Sequence, residues 1–176
     1  MKKLFLMVVA AMMATVSVNA QDEWQNEIAV AYGSGSNTDI VSSIGVGMFT
    51  GKQISYWGPV SVEYFRHFSS GLGFGAIAAV GGCKWKNNGS ATTTYFTFMP
   101  AVKYNWLVKN HFGMYSKGAV GITVARDSGD DKSKSRSEFN WQASFVGMEF
   151  GSAFRGFAEF GFGEQGIIVL GLRYKF

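Results

Sequence analysis

His67-Phe68-Ser69 sets an imidazole two residues from a hydroxyl. Such a pair can transfer an acyl group when a carboxylate, for example Glu63, orients the ring. The sequence offers no identifiable oxyanion hole to complete that chemistry. Gly161-Phe162-Gly163-Glu164-Gln165-Gly166 matches the dinucleotide fingerprint G-x-G-x-x-G letter for letter. That motif needs a following helix and an acid about twenty residues on, and too little chain follows Gly166. Alternating glycine on the narrow side of a sheet accounts for the spacing better, so no cofactor is expected. Asp127-Ser128-Gly129-Asp130-Asp131 offers three carboxylates, but without the spaced ligands and terminal Glu of an EF-hand. Lys132, Lys134 and Arg136 follow at once and balance those acids, which reads as a solvated loop. Cys83 is the only cysteine, so an internal disulfide is excluded, and no His/Cys spacing suggests a metal. No catalytic, cofactor or metal residues are assigned, and His111 falls in a turn.

None of these groups carries its own pocket, so the elements around them decide what they can do. Residues 1–20 read as a signal peptide: Lys2 and Lys3, an apolar stretch from Leu4 to Val18, then Val18-Asn19-Ala20 as a cleavage site. The run is too short and too closely followed by that site for a membrane helix. No cysteine follows Ala20 to take a lipid anchor. Residues 21–176 form the mature domain. Removing Lys2 and Lys3 takes the net charge from +4 to +2, which excludes nucleic acid as a partner.

With 23 Gly, 16 Phe and only 2 Pro, the chain favours pleated sheet over helix. A chain like this can cross a bilayer only as a closed barrel, because an open edge would leave backbone groups unpaired in hydrocarbon. From Tyr95 to Leu107, the even positions Phe96, Phe98, Pro100, Val102, Tyr104 and Trp106 are apolar. Their neighbours Tyr95, Thr97, Ala101, Lys103 and Asn105 are mostly small or polar. This matches a tilted membrane-crossing strand, with a bulge expected at Pro100. Eight such segments recur, near 26–34, 57–68, 71–83, 93–108, 112–126, 138–150, 154–163 and 166–176. Short turns at 69–71, 109–111 and 151–153 alternate with longer polar links at 34–56, 84–92 and 127–137. Glu164-Gln165-Gly166 is a short exception. Within 37–48, Ile40, Ile44 and Met48 fall at helical spacing and predict a short amphipathic turn. An even strand number places both ends of the chain on one side, the periplasmic one.

If the apolar face meets lipid, the alternate face fills the lumen. The phases send Glu63, Lys103, Lys117, Glu159, Arg173 and Lys175 inward, where they must pair or meet water. Two acids against four bases leave an excess, so Lys175 is expected to reach the hydrated rim. An eight-stranded barrel is just wide enough for such a structural ionic plug. Glu149 falls on the lipid phase of Phe139, Trp141, Ala143 and Phe145. Either a bulge at Gly147 resets the phase, or Glu149 lies at the interface. Trp57, Phe96, Trp106, Phe139, Trp141, Phe162, Tyr174 and Phe176 suit two interfacial girdles.

The chain ends on Leu170, Leu172, Tyr174 and Phe176 at alternate positions. This pattern resembles the C-terminal assembly signal of outer-membrane barrels, and the mature chain as a whole resembles the small OmpA/OmpX-type outer-membrane β-barrel family. The resemblance implies an all-β, eight-stranded antiparallel up-and-down transmembrane barrel, preceded by the cleaved signal peptide and inserted by the barrel-assembly machinery. Some members of that family carry a periplasmic peptidoglycan-binding domain; because the chain ends at the barrel, none is expected here. The expected location is the outer membrane, with both termini periplasmic. Expected contacts are membrane lipid and lipopolysaccharide, whose phosphates the Asp127–Arg136 segment could meet. The expected state is a monomer, and the expected role is structural or adhesive, without a wide pore and without enzymatic activity. His67-Phe68-Ser69 is also similar to the His-x-Ser of outer-membrane lipid A deacylases, which makes acyl hydrolysis the rival reading. A narrow pore and a secreted lipocalin-like carrier are the others; the inward charges count against the carrier.

Overall fold

The computed structural model describes residues 25–38, 54–68, 71–85, 92–128 and 134–176. The signal segment 1–20, the helical spacing of Ile40, Ile44 and Met48, and Ser69 lie outside those residues. Eight strands run in order: β1 Asn26–Ser34, β2 Ile54–His67, β3 Leu72–Trp85, β4 Thr92–Val108, β5 Phe112–Ser128, β6 Lys134–Gly151, β7 Phe154–Gly163 and β8 Ile168–Lys175. Each pairs antiparallel with its chain neighbours, and β1 closes on β8. At the seam Asn26 and Phe176 exchange two backbone hydrogen bonds of 2.9 Å. No ladder is left open, which meets the demand that hydrocarbon places on a backbone.

Alternation decides which side each residue takes. Along β4, Thr93, Tyr95, Thr97, Met99, Ala101 and Lys103 are buried, while Phe96, Phe98, Val102 and Tyr104 between them are exposed. The same inversion runs round the cylinder. Phe74, Ile122, Phe160, Leu170 and Leu172 face outward, and charge and small residues face in. Two apolar clusters help fill the interior: Phe65, Ile77, Met99, Ala101 and Ala119 form one, and Ala29, Ala31, Phe157 and Val169 the other. An outer wall this greasy is a liability in water and a match for lipid.

Three sequence expectations need correction. Pro100 makes no bulge. The β4–β5 register is the same on both sides of it, with Phe98 opposite Ile122 and Ala101 opposite Ala119. Its missing N–H is tolerated without a shift, and the irregularity in that ladder lies instead between Asn105 and Leu107. The phase reset of β6 is not at Gly147. It lies between Ser144 and Val146, where Phe145 and Val146 both face outward. One extra residue there turns Gly147 and Glu149 inward. Finally, β5 and β6 extend to Ser128 and Lys134, well into the link expected over 127–137.

Candidate functional site in the barrel interior

The inward rows of eight strands bring together charges that are far apart in the chain. Among the described residues, five carboxylates (Glu27, Glu63, Glu149, Glu159, Glu164) and five bases (Lys103, Lys117, Arg155, Arg173, Lys175) are buried. Formal charge therefore cancels, unlike the two-against-four imbalance read from the sequence. Each such ion would cost several kcal/mol to bury alone, so the geometry of pairing decides whether the interior holds.

Arg173, on β8, is the hub. Its Nη1 donates to Glu149 at 2.7 Å, and its Nη2 lies 3.4 Å from Glu63 and 3.8 Å from Glu159. Nε stands 3.3 Å from Glu27. The guanidinium also lies over the rings of Phe157, at 4.3 Å, and Tyr115, at 4.8 Å. A planar cation with five donors suits this place better than lysine would. Towards the mouth that holds both chain ends, Lys103 donates to both oxygens of Glu27, at 2.8 and 3.0 Å. Arg155 reaches Glu149 at 3.0 Å and the carbonyl of Asn110 at 3.2 Å. Lys175 does not extend to a hydrated rim. It is buried and pairs with Glu149, because the β6 bulge has delivered a carboxylate beneath it.

At mid-height Lys117 bridges Glu63 at 2.6 Å and Glu159 at 2.8 Å. Tyr115 and Ser144 each donate to Glu159 at 2.7 Å. Above them the β7–β8 connection enters the lumen, and Gln165 Nε2 donates to Ser61 at 2.8 Å and Glu63 at 2.7 Å. Towards the other mouth the partners become neutral. Thr97 and Thr123 share a 2.7 Å hydrogen bond, Asn140 donates to Glu164 at 2.8 Å, and Thr38 donates to the same carboxylate at 2.8 Å. A cavity beside Glu164, lined by Ser36, Tyr95 and Thr97, measures about 10 Å³, room for about one water.

The six inward charges read from the sequence, Glu63, Lys103, Lys117, Glu159, Arg173 and Lys175, thus lie in one contiguous network. The sequence reading omitted Glu27 and Arg155, although both sit on the inward phase of their strands with Ala29 and Phe157. Glu164 and Gln165 carried no periodic signal, since they belong to a turn. Glu63 does not orient His67. The imidazole instead has Nε2 3.2 Å from Glu27 and Nδ1 3.1 Å from Asn105. Asp127 accepts a 2.7 Å hydrogen bond from Thr93, its partner across the β4–β5 ladder. Gly161 to Gly166 form the end of β7 and its turn. The terminal row Leu170, Leu172 and Tyr174 faces outward, and Phe176 stacks on Tyr174 at 5.7 Å.

No protein-family model matches the chain, and neither does any curated protein sequence. Solved structures do. The attachment invasion locus protein Ail of Yersinia pestis superposes with a TM-score of 0.52 at 14% identity, covering 88% of this chain and all of Ail. Ail in complex with the heparin analogue sucrose octasulfate gives 0.52 at 15%, with the same coverage. The N-terminal β-barrel domain of Pseudomonas aeruginosa OprF gives 0.50 at 10%, covering 89% of this chain and all of that domain. The chain therefore has the fold of small eight-stranded OmpA/OmpX-type barrels.

Proposed function

We propose that this protein is a non-enzymatic integral barrel of the outer membrane, exported by cleavage after Ala20, with a structural or surface-interaction role. On this reading both chain termini lie on the periplasmic side, and the opposite mouth of the barrel faces outward. One observation carries the proposal: a closed barrel with aromatics and aliphatics on its outer wall and its carboxylates and bases within. A soluble carrier would need the reverse polarity. The interior network acts as a structural plug, so the barrel has no wide pore and should give no stable conductance in planar bilayers. Fractionation with gel mobility before and after heating tests the location. The protein should sit with the outer membrane and shift on heating; a soluble, unshifted protein overturns the proposal.

The outward row Leu170, Leu172, Tyr174 and Phe176 serves as the assembly signal read by the barrel-assembly machinery. Deleting Phe176 should lower the heat-shifted fraction. The surface partner fits a polyanion, the class to which Ail's heparin analogue belongs. Lys84, Arg126 and Arg136 are exposed at the outward mouth. Retention on immobilised heparin, weakened in Lys84→Glu/Arg126→Glu, supports this; no retention overturns it. Acyl hydrolysis is disfavoured because both ring nitrogens of His67 already face partners, Glu27 and Asn105. Unchanged lipid A acylation in Ser69→Ala would agree.

A further inference from the structure

The connection between β7 and β8 differs from the other three at its mouth. Those join strand ends Ser34 to Ile54, Trp85 to Thr92 and Ser128 to Lys134, whereas Gly163 is followed by β8 at Ile168 after only a turn. That turn points into the barrel. Glu164 is 4% exposed and Gln165 1%. Gly163 and Gly166 bracket it at φ 137° and 114°, a backbone region that side-chain-bearing residues rarely adopt.

Its moorings reach across the lumen. Glu164 N donates to Trp141 O at 2.9 Å on β6, and Ile167 N to Ser34 O at 2.8 Å on β1. Gln165 N donates to the Gln142 side chain at 2.8 Å, while its own side chain holds Ser61 and Glu63 of β2. Thr97 of β4 lies 3.4 Å from Glu164. A side chain on Gly33 would overlap the Gln165 carbonyl, so glycine there lets the turn seat. The turn thus engages four strands while closing the gap between two.

We infer that this turn is a stopper, seated in the outward half of the lumen, and that it is what shuts the ionic network off from the external medium. The inference rests on the outer-membrane reading for which mouth faces outward. Beneath the stopper, Ser144 lies between Gln142 and Glu159, so its position reports whether the seal is shut.

The test places Ser144→Cys in a Cys83→Ser background and measures labelling by a membrane-impermeant maleimide, in whole outer membranes and in refolded micelles. With the turn intact, labelling should be slow. Glu164→Gly/Gln165→Gly should speed it about ten-fold or more, because several hydrogen bonds holding the closed state are gone. Rapid labelling with an intact turn overturns the stopper, as does an unchanged rate in a released variant that still heat-shifts. If the double variant forms no barrel, Gln165→Ala removes only the mooring to β2; acceleration supports the stopper and an unchanged rate overturns it. Absence of the protein from the outer membrane would defeat the location reading, while the micelle experiment still decides the stopper.

Discussion

At the scale of single residues, the interior and the surface treat the same kind of ion pair very differently. Arg173 is fully buried among Glu27, Glu63, Glu149 and Glu159, and its removal strands carboxylates that cannot reach water. Arg173→Met should cost about 3–5 kcal/mol, read as a lower midpoint for loss of the compact, fast-migrating form in urea. Arg136 and Glu138 lie as close, at 2.7 Å, yet their side chains are 74% and 54% exposed. Arg136→Ala should change that midpoint by about 1 kcal/mol or less. Equal effects from the two substitutions would mean the interior is wetter than its packing implies.

At the scale of the element, strand phase and bulges set which residues can change. Gly147 lies on the inward side just past the β6 bulge, and any side chain there would strike the Tyr115 ring. Tyr115 is itself held by Glu159 and covered by Lys103 and Arg173, so it cannot move aside cheaply. Gly147→Ala should therefore lower stability by about 1–3 kcal/mol. Gly118 is on the outward side, where a Cβ meets nothing within 4 Å. Gly118→Ala should be neutral or slightly stabilising, since it reduces the freedom of the unfolded chain at no steric cost. Deleting Phe145 removes the extra residue of the bulge and joins inward Ser144 directly to outward Val146, so Gly147 and Glu149 keep their inward phase. The heat-shifted form should therefore persist, whereas deleting Gly147, which would bring Met148 inward and turn Glu149 towards the outer wall, should abolish it.

For the molecule as a whole, the polarity inversion should set sensitivity to charge. Leu172 is outward at 54% exposure, on the β8 wall beside Val30 and Gly156. Leu172→Arg should cost about 2–4 kcal/mol if that position lies near the bilayer midplane, measured by reversible unfolding from vesicles. The same substitution should matter far less in detergent micelles, which deform around a charge. Equal costs in both media would place the outer wall in contact with something other than lipid.

The period-2 rows already contained the eight strands and the inward phase of Glu63, Lys103, Lys117, Glu159, Arg173 and Lys175, because alternation is a local property of the chain, while closure followed from the cost of an unpaired edge in hydrocarbon. Glu27 and Arg155 were legible by the same rule. Glu149, the burial of Lys175 and the seated Glu164–Gln165 turn were not. A bulge adds one residue without a compositional mark, and its effect is felt only where two ladders meet. A turn's direction depends on what lies across the lumen to receive it. The residues thus determined which way each strand faces; only the assembled cylinder decided which charge met which partner, since those pairs are formed across as many as 148 positions of chain, from Glu27 to Lys175.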